Sequence, residues 1–193
     1  MIYPQDLTAV ILTGGQSRRM GQAKALLTLG GRSFLERIAA AARPLVQEVA
    51  VVDNGVVGAT WQETTWTDHY QGQGPVAGIE TALRQISTPY ALVLSCDIPL
   101  ITTFVLEYLI SNHIPTKTTI FTLHERWQPL VGIYAKSQQP IFEQALQAQH
   151  YRLMAVLQHI SLQLCPCPAP WSQHLSNINT PKAYQQLLHD FEH

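Results

Sequence analysis

Charge is scarce in this chain. Only 13% of its 193 residues are Asp, Glu, Lys or Arg, and the formal net charge is −1. Such an even balance excludes general binding to nucleic acid or to an anionic membrane surface. Any basic function has to be local. Long apolar runs are missing too, and none approaches the ~20 residues that cross a bilayer. The opening Met1 to Asp6 is polar, without the pattern of a signal peptide. The three cysteines, Cys96, Cys165 and Cys167, are an odd number that fits reduced thiols in a cytoplasm better than a disulfide framework. Cys165-Pro166-Cys167 has no second pair at zinc spacing. The eight histidines form no H-E-x-x-H pair, and Ser95-Cys96-Asp97 lacks the glycines of a nucleophile elbow. Lys24 is neither preceded by glycine nor followed by Ser or Thr, which excludes a Walker A loop.

What is present is a hydrophobic fraction of 46%, enough for a sizeable core. Apolar runs alternate with amphipathic ones. Leu7–Leu12, Glu48–Val52, Glu63–Thr67 and Tyr90–Ser95 read as strands, and Ser33–Ala42, Val76–Ile86 and Thr103–Asn112 as helices. Tyr90–Ser95 is continuously apolar, as parallel strands covered on both faces are. This order predicts an α/β fold with a parallel sheet. Thr118–Leu123 and Pro129–Ala135 are further strands separated by the polar turn His124-Glu125-Arg126. Pro140–Gln149 and Leu153–His159 read as helices, with a short strand at Leu162–Leu164. Thr180-Pro181 opens a last helix, with threonine as cap and proline in the first turn. No repeat or linker divides the chain, so a single domain is expected over residues 1–193.

The chain is organised around one stretch. Strand Leu7–Leu12 runs into Gly14-Gly15, and Arg18, Arg19 and Lys24 follow on the same loop. Backbone amides and local cations together suit a polyanion such as a nucleotide triphosphate, although glycine and arginine also serve plain turns. In an open parallel sheet, ligands bind at the carboxyl ends of the strands. Gly14, Gly15, Asn54, Asp68 and Asp97 each follow a predicted strand there. Asp97 suits Mg²⁺, which takes one or two carboxylates plus phosphate oxygens, or else caps the next helix. Asp68 opens a loop whose glycines are spaced G-x-G-x-x-x-G, not a dinucleotide fingerprint, and reads equally as a solvated acid.

These residues resemble a known family. Leu12-Thr13-Gly14-Gly15, Ser17, Arg19-Met20-Gly21 and Lys24 resemble the signature of molybdenum cofactor guanylyltransferases. So do Ala25-Leu26-Leu27, Leu29-Gly30-Gly31, Gly74-Pro75-Val76-Ala77-Gly78-Ile79, Cys96-Asp97-Ile98-Pro99, Pro129–Tyr134 and Asn177-Ile178-Asn179-Thr180-Pro181. The resemblance implies a Rossmann-like, three-layer nucleotidyltransferase fold with a mostly parallel sheet. It also implies transfer of GMP from Mg-GTP to the terminal phosphate of molybdenum-molybdopterin, with pyrophosphate released. By position, the family's roles put the backbone of Leu12, Thr13 and Gly14 at the guanine, with Gly15, Lys24, Asn54, Asp68 and Asp97 as further GTP contacts. Arg19, Lys24 and Asp97 would be catalytic, Asp97 would hold Mg²⁺, and Asn177 and Asn179 would lie on the molybdopterin side. The nucleotide half would span about residues 7–100 and the pterin half about 101–193, with transient contacts to cofactor-insertion proteins. Two positions depart from the pattern, Ala23 where Asp is common and Gln128 where His is common. The rivals are a cytidylyltransferase on the same pterin, a sugar-phosphate nucleotidyltransferase and a non-catalytic nucleotide-binding module. Gly14, where the cytidylyl branch tends to carry alanine, favours the guanylyl reading.

Overall fold

The structure is a computed structural model that describes residues 2–14, 23–55, 57 and 61–192. The main sheet has seven strands: β1 (Leu7–Leu12), β4 (Glu48–Asp53), β5 (Thr64–Thr67), β6 (Tyr90–Ser95), β7 (Thr118–Leu123), β8 (Arg126–Ala135) and β9 (Leu162–Pro166). Their spatial order is β5-β4-β1-β6-β8-β7-β9. All neighbours pair in parallel except the two pairs made by β8, which runs against β6 and β7. The mostly parallel α/β sheet expected from the sequence is therefore present. Its one reversed strand follows from the tight His124-Glu125 turn after β7, which joins two strands too closely for a crossover helix.

β1 and β6 form the centre, and their alternation sends side chains into two cores. Ala9, Ile11, Leu92 and Leu94 meet α1 (Phe34–Ala42) and α3 (Thr103–Ser111) on one face. Val10, Leu12, Ala91 and Val93 meet α2 (Pro75–Gln85), α4 (Gln139–Gln147) and α5 (Leu153–Leu157) on the other. Helices on both faces make three layers, and this double burial is why both strands are mainly apolar, with the buried Thr8 hydroxyl paired to that of Thr88 at 2.9 Å. α1 starts where expected, at a capping box: Ser33 Oγ accepts from Glu36 N at 3.1 Å, and Glu36 Oε2 accepts from Ser33 N at 2.6 Å.

A two-stranded hairpin, β2 (Thr28–Leu29) and β3 (Arg32–Ser33), stands apart from the sheet. Its Gly30-Gly31 turn has φ of 59° and 77°, the two positive values that a tight two-residue hairpin needs. The last helix, α6 (Pro181–Glu192), covers it. Leu187 joins Leu27, Leu29, Phe34 and Ile178 in a third apolar cluster, and the Tyr184 hydroxyl donates to the Thr28 carbonyl at 2.7 Å. α6 opens as expected, with Thr180 Oγ1 accepting from Ala183 N at 3.1 Å. The far end of the chain is thus fastened to the segment that follows Lys24.

Candidate active site

The strand order reverses beside β1, because β4 and β5 lie on one side of it and β6 on the other. That switch point is where the fold leaves a crevice at the carboxyl ends of the strands. A cavity of about 700 Å³ occupies it, a size suited to a nucleotide. Its walls include Leu12 ending β1 with Thr13 and Gly14 after it, Asn54 after β4, Asp68 after β5 and Ser95 ending β6. Four separate strand ends therefore meet at one cavity, with Ser95 and not the expected Asp97 in the wall at the end of β6. Gly74 and Pro75, at the start of α2, complete one side and turn the positive end of that helix toward the space. Gly74 holds φ 73°, which excludes a residue with a side chain there without strain.

Each wall is fixed by its own bonds. The Thr13 hydroxyl donates to Asp53 Oδ1 at 2.7 Å, with the Val52 carbonyl at 3.0 Å beside it. The other Asp53 oxygen accepts from the backbone amides of Gly55 and Val57, both at 3.0 Å. Asp53 is only 4% exposed, so this buried carboxylate locks the end of β1 to the turn that carries Asn54. A Cβ added to Gly14 would come within 3.5 Å of Asn54 Nδ2, so the two lie face to face across the cavity lip. Asp68 is buried, and its Oδ1 accepts from Tyr70 N at 3.0 Å. It is an Asx-turn residue and a cavity wall at once.

Lys24 and Asp97 stand beside this cavity, directly after its wall residue Ala23 and two residues after its wall residue Ser95. Lys24 begins a short 3-10 turn, Lys24–Leu26, and its Nζ lies 3.5 Å from Asp97 Oδ2. Both side chains are less than one-fifth exposed, at 18% and 15%. The Ser95 hydroxyl donates to Asp97 Oδ1 at 2.6 Å and fixes the carboxylate's rotamer. Lys24 Nζ also donates to Asn179 Oδ1, from the far end of the chain. Ile178 N donates to the Asp97 backbone carbonyl at 2.8 Å, so the Asn177-Ile178-Asn179 segment runs alongside the Asp97 loop. Ile178 is buried while Asn177 and Asn179 are exposed. Arg19 and Gly15 lie outside the described residues.

Among the described residues no cluster of three His, Cys, Asp or Glu side chains gathers at metal-binding range. The Asp97 carboxylate beside the cavity offers hard oxygen donors, which fits Mg²⁺ held mainly by phosphate and water, not a dedicated protein cage. Burial, and next the Asp97 charge, push the Cys96 thiol up to about 12, so it packs and does not attack. Sequence reading misses Asp53 as the anchor of Thr13 and Ser95 as the partner of Asp97. Each looks like part of a turn or of a rejected motif, and a polar residue ending a buried strand is the available signal.

Residues 9–164 match the family described as the MobA-like NTP transferase domain. The chain is 34% identical over 192 residues to a probable molybdenum cofactor guanylyltransferase of Carboxydothermus hydrogenoformans, covering 97% of this chain and 98% of that protein. It is 34% identical over 184 residues to one of Flavobacterium johnsoniae, covering 95% and 97%. Among solved structures, molybdopterin-guanine dinucleotide biosynthesis protein A from Archaeoglobus fulgidus superposes with a TM-score of 0.80 at 23% identity, covering 96% of this chain and 98% of that one. A 2-C-methyl-D-erythritol 4-phosphate cytidylyltransferase from Thermus thermophilus shares the fold at a TM-score of 0.71 and 15% identity, covering 95% and 98%. Fold and domain together define a nucleotidyltransferase. Within that class, the chain belongs to the molybdenum cofactor guanylyltransferase family. Its activity is nucleotidyl transfer in the biosynthesis of that cofactor. Among the described residues, no helix is long and apolar enough to cross a membrane.

Proposed function

We propose that this enzyme transfers GMP from GTP to the terminal phosphate of molybdenum-molybdopterin and releases pyrophosphate. One observation carries the reading: a nucleotide-sized cavity at the switch point with the Lys24–Asp97 pair alongside it. Thr13 and Gly14 line the space for the guanine, with Leu12 beneath them, and Asn54 and Asp68 close it on the nucleoside side. We assign residues 7–100 mainly to the nucleotide and residues 101–193 mainly to the pterin, where Asn177 and Asn179 face solvent. We place the reaction in the cytoplasm, in keeping with the free thiols of Cys96, Cys165 and Cys167. Transient contact with cofactor-insertion proteins follows from a product that has to be handed on.

The chemistry asks little of the protein beyond alignment and charge. A phosphate monoester is largely ionised at neutral pH, its second pKa being ~6, so no general base is required. An oxygen of the pterin phosphate attacks the α-phosphorus of GTP and forms the new P–O–P link. The bond from the α-phosphorus to the β-phosphate oxygen breaks, and pyrophosphate leaves with that electron pair. Lys24 offsets charge on the leaving phosphates, and Arg19 is assigned the same task. Asp97 would hold Mg²⁺, which supplies charge neutralisation on the phosphate oxygens when bound. Ser95 keeps that carboxylate in place.

The reading separates from its nearest rival by base choice. Alanine at position 14 would fill the space between the strand end and Asn54. With Mg²⁺ and metal-loaded molybdopterin, pyrophosphate release should be at least about tenfold faster with GTP than with CTP, equivalent to ~1.4 kcal/mol of discrimination. Equal or reversed rates would contradict it. Asp97→Ala should abolish turnover while the protein stays folded, and near-normal activity of that variant would remove Asp97 from the metal.

A further inference from the structure

Lys24 and Asn179 are separated by 155 positions in the chain, yet Lys24 Nζ donates to Asn179 Oδ1. The backbone on both sides of Asn179 is anchored. On one side Ile178 is buried in the cluster with Leu27, Leu29, Phe34 and Leu187, and its amide is bonded to the Asp97 carbonyl. On the other side Thr180 caps α6. The exposed Asn179 side chain is therefore delivered from a rigid segment. An ammonium has three donors. Asn179 takes one, Asp97 Oδ2 stands within 3.5 Å of the group, and a donor remains for an incoming phosphate.

We propose that Asn179 is a positioning residue for Lys24, aiming its ammonium at the nucleotide's phosphates. The inference rests on the reading that Lys24 meets the triphosphate, and it gives Asn179 a task on the nucleotide side of the reaction. Because the side-chain oxygen faces the lysine, the Asn179 amide nitrogen is left free to donate to the second substrate's phosphate. One side chain then touches both halves of the reaction: it orients the cation for the leaving group and addresses the attacking phosphate.

Equilibrium binding measured with no pterin present tests this, because a residue that serves only the pterin would leave such binding unchanged. Full-length wild type, Asn179→Ala and Asn179→Asp are titrated with GTP and with guanosine, and thermal melting confirms that each is folded. Asn179→Ala should weaken GTP binding about fivefold, in line with the loss of one charged hydrogen bond. Asn179→Asp should weaken it more, since a carboxylate both neutralises the ammonium and repels the triphosphate. Guanosine, which has no phosphates, should bind all three proteins alike. In a Lys24→Ala background, Asn179→Ala should cause no further loss, because the two act through one cation. Unchanged GTP affinity in both Asn179 variants, or additive losses in the double variant, would overturn the proposal and leave the functional reading standing. Failure of the wild type to bind GTP would overturn both.

Discussion

The Thr13 hydroxyl donates to Asp53 Oδ1 at 2.7 Å, across the ends of two neighbouring parallel strands. This bond ties the first wall of the cavity to the turn bearing Asn54, because the same carboxylate accepts from the Gly55 and Val57 amides. Asp53→Ala removes the acceptor these groups share and should cost about 3 kcal/mol in urea unfolding. Thr13→Val keeps the shape and loses only the hydroxyl, so it should cost about 1 kcal/mol. A neutral Asp53→Ala would mean that the buried carboxylate does not hold the strand ends together.

The Ser95 hydroxyl donates to Asp97 Oδ1 at 2.6 Å and so holds that carboxylate in one orientation. Ser95→Ala frees the carboxylate to leave its rotamer. The Mg²⁺ concentration giving half-maximal turnover should rise several-fold at saturating GTP, with the melting temperature little changed, in keeping with ~1 kcal/mol for one hydrogen bond. Ser95→Thr retains the hydroxyl and should restore the wild-type midpoint. An unchanged midpoint in Ser95→Ala would dismiss this role.

In β8, Gly132 is present for space. A Cβ there would meet the Thr119 carbonyl oxygen at 2.9 Å and Ile120 Cγ2 at 2.7 Å, where β7 and β8 shift register. The backbone oxygen cannot move without breaking the sheet. Gly132→Ala should therefore destabilise by about 1–3 kcal/mol, read as a lowered thermal midpoint. Since the position is away from the cavity lining, GTP affinity of the folded fraction should be unaffected.

Burial lowers the His113 pKa to about 4. Its Nδ1 lies 2.8 Å from Thr119 Oγ1, while its buried Nε2 has no hydrogen-bond partner among the described residues. Well above its ordinary value of 6.5 the ring is neutral in both folded and unfolded chains and contributes no pH dependence. Between pH 6.5 and about 4 the unfolded chain takes up a proton that the folded one refuses, so stability falls with falling pH and levels off below that range. Comparing unfolding free energy for wild type and His113→Gln across that range should show a shallower acid slope in the variant. Parallel curves would contradict the assignment.

The elements that fill the centre of the fold were the ones legible in the sequence. Leu7–Leu12, Tyr90–Ser95 and Thr118–Leu123 have the bounds expected from their mainly apolar, β-branched runs, whose few buried hydroxyls (Thr8, Thr118, Thr119) are hydrogen-bonded. Periodicity carries no sign of chain direction, so the reversal of β8 is signalled only by the short His124-Glu125-Arg126 connection, which leaves no room for a crossover helix. β8 also extends back to Arg126, beyond the expected Pro129, because its pairing with Leu123 and Thr122 continues past the apolar part. The β2–β3 hairpin was missed, although Gly30-Gly31 is the two-residue turn signal for it. At the site, single-residue positions after strands were readable: Gly14, Asn54 and Asp68 all line the cavity. Bonds between distant segments were not. Nothing local to Asn179 discloses that it meets Lys24, or local to Thr13 that it meets Asp53, since both bonds exist only after the sheet and α6 have assembled.

The central claim is that one particular phosphorus changes partner. GTP labelled at the α-phosphate or at the γ-phosphate, incubated with the purified protein, Mg²⁺ and metal-loaded molybdopterin, tests it most directly. The account predicts α-label in a pterin–guanine dinucleotide, γ-label in pyrophosphate, and neither product from Asp97→Ala or Lys24→Ala at more than a trace. Label from the γ-phosphate in the pterin product, or pyrophosphate formed with no transfer of α-label, would contradict it.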